Sequence, residues 1–298
     1  MDVRRFTRAD VPAAAALLAA RAQEHPLAAP FDAAAEIGQL LDDGHTGWVA
    51  EGGYLIGKAD ADAAWSLYTG HAARDAATYR RLYRAIGREW VEAEHRRHAI
   101  VAPEGDPVGA EAFGNLAFGR EHVCALARLA DQPAEPPPAH VAIRDVGPDE
   151  VDAIAPLLPT LARHLSDPPV WSPRPAAYYE GLTEDFREDV AEPHTTYRVA
   201  SLDGVDVGFA SWEPMPSRVC VPEGTYALSH MAVLPEARGR GVGRALTLDG
   251  LALLRERGVT VTWTDWRLTN MSAEPYWRTY GWRPYNVRWT RRIEPDPD

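Results

Sequence analysis

The stretch Leu228–Arg244, with the sequence LSHMAVLPEARGRGVGR, joins an apolar strand to a turn rich in glycine and arginine that opens a helix. Its glycines allow backbone conformations closed to other residues, so that successive N–H groups can converge on phosphate oxygens. The first N–H groups of the helix lack intrahelical partners and lie at the positive end of its dipole. The stretch therefore predicts a pyrophosphate site. Its glycines are Gly239, Gly241 and Gly243, and its arginines are Arg238, Arg240 and Arg244.

The spacing of these glycines distinguishes between phosphate ligands. A dinucleotide fingerprint, G-x-G-x-x-G, would place a glycine where Arg244 stands, and it would need an acidic residue after a following strand that this sequence lacks. A P-loop would place Lys and then Ser or Thr where Arg244 and Ala245 stand. The turn therefore matches neither of these nucleotide-binding patterns.

The turn instead resembles the acyl-coenzyme A signature of the GNAT superfamily of N-acyltransferases, Gln/Arg-x-x-Gly-x-Gly/Ala after a strand that ends in Val-x-Pro. Residues 238–243, RGRGVG, fit every fixed position, and residues 233–235, VLP, precede them at the expected distance. Residues 270–282, NMSAEPYWRTYGW, match a second family element, Asn-x-x-Ala followed by an aromatic residue and a Gly-aromatic pair. The resemblance implies acetyl-CoA as acyl donor and direct transfer of its acetyl group to an amine.

The fold class that the resemblance implies is α/β (α+β), with two tandem GNAT-like domains. Four prolines in residues 131–138, DQPAEPPP, favour an extended spacer. We therefore divide the chain into a degenerate GNAT-like domain without a cofactor motif, a linker, and a GNAT domain with the acetyl-CoA site. Each domain is expected to be a mixed, mostly antiparallel twisted sheet flanked by helices. The three parts are residues 1–130, 131–139 and 140–298.

Hydrophobic patterns place the elements of both halves. In the second half the predicted strands are 141–144, 197–202, 205–212, 225–233, 259–266 and 285–293, and the helices are 149–165, 241–257 and 271–280. In the first half we predict a strand at 3–6, a helix at 9–24, a hairpin at 47–58, a strand at 65–68, a helix at 75–96 and strand-like segments over 98–128. At the position that corresponds to the glycine-rich turn, the first half has Thr69–Asp75, TGHAARD. This segment contains a single glycine, so we predict no cofactor site there.

The composition of the chain limits the kinds of partner that it can have. A chain of 298 residues that is 46% hydrophobic is long enough for two packed cores, and a net charge of −12 argues against a nucleic-acid partner. We find no apolar run that predicts a membrane span or signal peptide, so a cytoplasmic protein is expected. Both a monomer and a homodimer are compatible with the sequence. Cys124 and Cys220 lack the spacing of metal ligands. The pair His95 and His98 could hold a metal, but we expect surface histidines beside the charged run 92–97, and no metal is expected.

The pantetheine arm of the donor is expected in a cleft where strand 225–233 diverges from strand 259–266, as the resemblance implies. The backbone of Met231 and Val233 would hydrogen-bond the arm, and an N–H near Met231 or Ala232 would polarise the thioester carbonyl. Asn270 would contact the arm or cap the helix that follows. The expected acetyl-CoA contacts are Met231, Ala232, Val233, Arg238, Gly239, Arg240, Gly241, Val242, Gly243, Arg244, Asn270 and Tyr276.

Acetyl transfer to an amine also needs a base for the amine and an acid for the departing thiolate. By position, Glu213 at the end of the hairpin, Glu223 before the central strand and His230 within that strand are candidates for the base. In the family the acid is usually a tyrosine four residues before the Gly-aromatic pair, where this chain has Trp277. Either Tyr276 takes this role, which is our prediction, or the thiolate leaves without a dedicated acid.

The acceptor wall is expected in residues 168–179, PPVWSPRPAAYY, because rigid prolines and aromatic residues suit a small-molecule pocket. Trp171, Tyr178 and Tyr179 are its predicted contacts, although the same residues could pack one domain against the other. The acidic residues that follow would favour a cationic acceptor or simply form a solvated helix face. These are Glu180, Glu184, Asp185, Glu188 and Asp189.

Three functions are compatible with the sequence. The first is acetyl transfer from acetyl-CoA to a primary amine of a small molecule. The second is the same chemistry on a protein or peptide amine, which would need an open groove. The third is a non-catalytic sensor that binds coenzyme A, which the tryptophan in place of the usual tyrosine would suit.

Overall fold

The computed structural model describes residues 2–21 and 26–294. Within these ranges the helices are α1 (Val11–Arg21), α2 (Ala33–Asp42), α3 (Ala76–Glu92), α4 (Pro107–Asn115), α5 (Val151–Ile154), α6 (Pro159–Ser166), α7 (Ala176–Ala191), α8 (Val242–Glu256) and α9 (Ala273–Thr279). The strands are β1 (Arg4–Arg5), β2 (Thr46–Ala50), β3 (Gly53–Ala59), β4 (Ala64–Ser66), β5 (His71–Ala73), β6 (Arg97–Pro103), β7 (Gly119–Arg128), β8 (Ala142–Val146), β9 (Thr196–Leu202), β10 (Val205–Pro214), β11 (Tyr226–Val233), β12 (Val261–Arg267) and β13 (Arg283–Arg292).

The chain divides into two compact units, of which unit 2 is Ala125–Arg283. Its strands follow the order β8-β9-β10-β11-β12, antiparallel except for the parallel pair β11 and β12. The β9–β10 hairpin turns at Asp203 and Gly204, whose φ angles of 52° and 81° match the predicted tight turn. One face of this sheet is covered by an apolar cluster that includes Leu182 and Phe186 of α7 and Phe209 of β10.

Unit 1 comprises Met1–Cys124 and Pro284–Asp298. Its strands follow the order β1-β2-β3-β4-β6-β13, with β5 paired to β3, and β4 and β6 are its parallel pair. An apolar cluster around Leu18, Ile37 and Tyr54 forms its core. Both units are thus mixed, mostly antiparallel sheets flanked by helices, which confirms the predicted fold class.

The last strand lies elsewhere than the sequence-based division placed it. We predicted it within the domain 140–298, yet residues 286–292 of β13 pair antiparallel with residues 97–103 of β6, so β13 belongs to unit 1. The alternation of apolar residues is the same whichever sheet a strand joins, so the pattern identified the strand but not its neighbour. The assignment of one domain to the cofactor and the other to a degenerate role remains a prediction.

Two predicted helices differ from the structure. The predicted helix 149–165 is divided into α5 and α6. Pro159 has no backbone N–H and cannot continue a helix from the preceding turn, so it stands instead at the first position of α6. The predicted helix 9–24 corresponds to a 3-10 turn at Arg8–Asp10 followed by α1, which is described as far as Arg21, and residues 22–24 of that prediction lie outside the described residues.

Candidate active site

Strands β11 and β12 pair over only part of their length. Their parallel register joins Tyr226–Leu228 to Thr262–Thr264. On the other side of β11, Trp212 of β10 is paired with Leu228 and the preceding residue with His230, so Ser229 is an extra residue, a β-bulge. The bulge bends β11 where its pairing with β12 ends, and the two strands separate beyond it.

The backbone of β11 beyond the bulge faces this opening at alternate residues. The N–H of Leu234 donates to a β10 carbonyl at 2.8 Å, and the N–H of His230 donates to a β10 serine hydroxyl at 3.1 Å. Because backbone groups alternate along a strand, those of Met231 and Val233 point to the other side, from which β12 has separated. Of the two N–H groups predicted to polarise a carbonyl, that of Met231 therefore faces the opening, and that of Ala232 faces β10.

The turn after β11 leads through Gly239 and Gly241 into α8. Gly239 and Gly241 have φ angles of 74° and 82°, in the left-handed region that favours glycine. Gly241 is the N-cap of α8, and among the described residues no side chain caps this helix. The first N–H groups of the helix, at residues 242–244, therefore remain as donors at the positive end of a 15-residue helix.

The three arginines of this turn make weak contacts with the chain. Arg244 pairs with Glu135 at 2.6 Å and Arg240 with Asp203 at 3.5 Å, with side-chain exposures of 51% and 53% for the arginines. Such exposed pairs contribute less than about 1 kcal/mol, so these guanidinium groups can exchange their carboxylate partners for a phosphate. Arg238 donates through Nε to a β11 carbonyl at 3.3 Å.

Glu135 of the predicted linker and His140, the first residue after that linker, also lie at this turn, which sequence reasoning missed. The His140 Nε2 N–H donates to the carbonyl of Arg240 at 2.9 Å, and its ring would lie 3.7 Å from a Cβ atom on Gly241. Glu135 makes the ion pair with Arg244. About 100 residues separate each pair in sequence, and no local pattern carries a signal of their approach.

Tyr276 meets α8 and β11 at one place. Its hydroxyl hydrogen-bonds the Thr247 hydroxyl at 2.8 Å and would lie 3.4 Å from a Cβ atom on Gly243. The Thr247 hydroxyl also lies 3.6 Å from the sulfur of Met231. Burial raises the pKa of Tyr276 well above its ordinary value, Tyr280 raises it further, and the hydrogen bond with Thr247 opposes both. Tyr276 is therefore a protonated hydroxyl held beside β11.

The neighbouring residues of the second sequence element hold structural positions. Trp277 is 8% exposed and packs edge-on against Trp282, with ring centroids 5.4 Å apart. Asn270 accepts hydrogen bonds through Oδ1 from Ser272 at 2.9 Å and from His164 at 3.4 Å. No side chain caps α9, so Asn270 does not serve as the side-chain cap that was one of its two predicted roles.

The two glutamates predicted as bases lie at different ends of β11. Glu213 accepts a hydrogen bond from the Ser229 hydroxyl at the bulge, next to the opening. Glu223 is exposed in the turn that precedes β11, at the end remote from the opening. Of these two, the structure brings only Glu213 to the region where β11 and β12 separate.

The three residues predicted to contact the acceptor lie in two different environments. Tyr178 and Tyr179 begin α7 with their rings 5.4 Å apart, and Tyr178 packs against the apolar cluster of unit 2. Trp171 is 69% exposed and its φ angle is 44°. The tyrosines are thus part of the helix that covers β11, whereas Trp171 projects into solvent.

The corresponding helix of unit 1 differs from α8 at its first turn. Asp75 is the N-cap of α3, and its carboxylate accepts from the Thr78 N–H at 2.7 Å and from the Thr78 hydroxyl at 3.1 Å. A carboxylate of the chain thus occupies the position at which an anionic ligand would meet this helix. That the first half holds no cofactor stays a prediction.

Among residues 2–21 and 26–294 no group of three or more His, Cys, Asp and Glu side chains is arranged to hold a metal ion. In the same part of the chain, no helix combines the length and the apolar character that crossing a membrane requires.

Known proteins resemble this chain in sequence over one region and in fold. Residues 159–282 match the model of the Acetyltransferase (GNAT) family, and no curated protein sequence matches the chain. A GCN5-related N-acetyltransferase from Sphaerobacter thermophilus is 18% identical, with a TM-score of 0.65 and coverage of 100% of this chain and 97% of that one. A tandem GNAT protein from the clavulanic acid biosynthesis pathway is 17% identical, with a TM-score of 0.56 and coverage of 99% and 100%. A GNAT-family acetyltransferase from Colwellia psychrerythraea is 10% identical, with a TM-score of 0.56 and the same coverage. At these identities the likeness is one of fold.

Proposed function

We propose, from the premise that residues 159–282 form a GNAT acetyltransferase domain, that the protein transfers an acetyl group from acetyl-CoA to a primary amine of a small molecule. One observation carries the proposal. Within unit 2, a strand edge left free beyond a bulge leads directly into a helix N-terminus that no side chain caps. A free edge suits an extended amide-bearing chain, and an uncapped helix N-terminus suits a phosphate.

The residues present fit acetyl-CoA part by part. The N–H groups of residues 242–244 and the neighbouring arginines would hold the pyrophosphate. The outward backbone groups of Met231 and Val233 would pair with the amides of the pantetheine arm, as one strand pairs with another. When bound, acetyl-CoA supplies an activated acyl group as a thioester. The Met231 N–H would then stabilise negative charge on the acyl oxygen, because it is fixed in place before reaction.

Tyr276 would donate the proton that the departing thiolate needs. A hydroxyl whose pKa is raised stays protonated across the physiological range, and its bond to Thr247 orients it beside Met231. We expect Tyr276→Phe to lower kcat about 10- to 100-fold while the Kd for acetyl-CoA changes less than about threefold. Steady-state kinetics and calorimetry measure the two quantities. Tyr226→Phe, at the far end of β11, is the control and should change neither.

Retention of full kcat by Tyr276→Phe would show that the thiolate leaves without this acid. It would not bear on the site of acetyl-CoA binding.

The function itself is tested by acetyl-CoA-dependent thiol release across a panel of amino sugars, amino acids and polyamines, with peptides that carry N-terminal and lysine amines as a second arm. Turnover with a small amine and none with peptides is the expected result. Turnover restricted to peptides would replace the small-molecule acceptor with a protein one. Binding of acetyl-CoA without turnover in either arm would contradict the proposed activity, and absence of binding would contradict the cofactor as well.

A further inference from the structure

The predicted linker, residues 131–139, is packed along α8 within unit 2. Arg255, in the last turn of α8, donates to the carbonyl oxygens of Gln132 and Pro133, each at 2.9 Å. The Gln132 side chain is buried, accepts from the Thr262 hydroxyl at 2.7 Å and donates to the Tyr280 carbonyl at 3.0 Å. The start of the linker is therefore fixed at the end of α8 that is remote from its N-terminus.

The other end of the linker reaches the first turn of α8. His140, which follows the linker, donates through Nε2 to the Arg240 carbonyl at 2.9 Å. The Cγ atom of Pro138 would lie 3.8 Å from a Cβ atom on Gly241, the N-cap of α8, and the His140 ring 3.7 Å from it. The linker thus follows α8 from its last turn to its first and is held at both ends.

Between these two anchors the linker presents one carboxylate to the proposed pyrophosphate site. Glu135 lies between Gln132 and His140 in the chain, and its Oε1 atom is 2.6 Å from the guanidinium of Arg244 in the first turn of α8. Residues 136–138 are all proline, which restricts the backbone to an extended form. The Glu135 carboxylate therefore stays close to Arg244 even when the ion pair between them is broken.

A carboxylate in this place opposes the binding of a phosphate. Glu135 neutralises the charge with which Arg244 would attract a phosphate, so a ligand gains the full charge of the guanidinium only by displacing it. Because the anchored linker keeps Glu135 within reach, its effective concentration at Arg244 is high whatever the concentration of the ligand. Both side chains are half-exposed, and an exposed ion pair is only a few-fold more populated than its broken state. The competition should therefore weaken binding by a factor of the same size.

We infer that Glu135 is an internal competitor for the phosphate end of acetyl-CoA, an autoinhibitory contact that the linker holds on Arg244. The inference rests on the proposed function. Acetyl-CoA and the product CoA carry the same pyrophosphate, so Glu135 weakens the binding of both by one factor. The contact thereby favours the release of CoA after acetyl transfer.

Calorimetry of the full chain with acetyl-CoA and with CoA tests this assignment. We expect Glu135→Gln to lower the Kd of each ligand about three- to sixfold, as relief of an exposed ion pair allows. Glu236→Gln is the matched control, because Glu236 is exposed in the turn between β11 and α8 and makes no ion pair with another described residue. At physiological ionic strength its charge is largely screened, so the control should change Kd less than about 1.5-fold. An equal gain in the two variants would overturn the inference, since net charge alone would then explain it.

A double-mutant cycle with Arg244→Gln separates the ion pair from any other effect of Glu135. Arg244→Gln alone should raise the Kd for acetyl-CoA, and adding Glu135→Gln to it should change that Kd less than about 1.5-fold. A three- to sixfold gain that persists without Arg244 would mean that Glu135 acts through another group, against the inference. Wild-type binding that Glu135→Gln leaves unchanged contradicts this inference alone. Absence of acetyl-CoA binding by both wild type and Glu135→Gln contradicts the proposed function and this inference with it.

Discussion

Gly241→Val is expected to raise the Kd for acetyl-CoA at least about 100-fold, which corresponds to a loss of about 2.8 kcal/mol. Gly241 is the N-cap of α8 and has a φ angle of 82°, a conformation that costs a β-branched residue more than about 1 kcal/mol. Relief of that strain rotates the peptide planes at the start of α8 and turns the N–H groups of residues 242–244 away from one another. A Cβ atom here would lie 3.7 Å from the His140 ring, an ordinary van der Waals contact, so the expected loss comes from the backbone strain.

Gly224→Val is the matched control, because Gly224 has a φ angle of 74° and no atom within 4 Å of its Cβ position. Both variants carry similar backbone strain, so both should lose similar stability, and only Gly241→Val should lose acetyl-CoA binding by calorimetry. Equal affinity in the two variants would mean that the turn does not bind the pyrophosphate.

The parts of the site that the sequence predicted are those whose geometry is local. The end of β11, the glycine turn and the first residues of α8 lie within seventeen consecutive residues, Leu228–Arg244, and the positive φ angles at Gly239 and Gly241 are of the kind that glycine permits. The hairpin turn at Asp203 and Gly204 was predictable for the same reason. In each case the residues that make the structure are neighbours in the chain.

The parts that the sequence did not predict depend on register between distant strands. The bulge at Ser229 exists only relative to β10, and the pairing of Ser211 with both Tyr197 and His230 depends on the register of three strands. Alternation along β11 placed His230 on a face but could not show what lies opposite it. The approach of His140 to the glycine turn is likewise a consequence of tertiary packing.

The packing of α8 on β10 leads to the second large effect, on stability. A Cβ atom on Gly250 of α8 would lie 2.1 Å from Nε1 of Trp212, a side chain that is fully buried in β10. We expect Gly250→Ala to lower the free energy of unfolding by about 3 kcal/mol, because the overlap outweighs the gain of about 1 kcal/mol in helix propensity. Gly181→Ala in α7 is the matched control, since its nearest neighbours lie 3.8 Å away, and it should stabilise by about 0.5–1 kcal/mol.

Urea unfolding of the two alanine variants measures these changes in the free energy of unfolding, which should have opposite signs. Trp212→Phe should partly restore stability to Gly250→Ala, because it removes the five-membered ring that meets the new methyl group. Nε1 of Trp212 has no hydrogen-bond partner among the described residues, so this change forfeits no hydrogen bond.

Since α8 carries the uncapped N-terminus, the contact between Gly250 and Trp212 holds the proposed pyrophosphate site against the sheet. A stabilised Gly250→Ala variant would mean that α8 does not pack this closely on Trp212, and the position inferred for its N-terminus beside β11 would then be wrong.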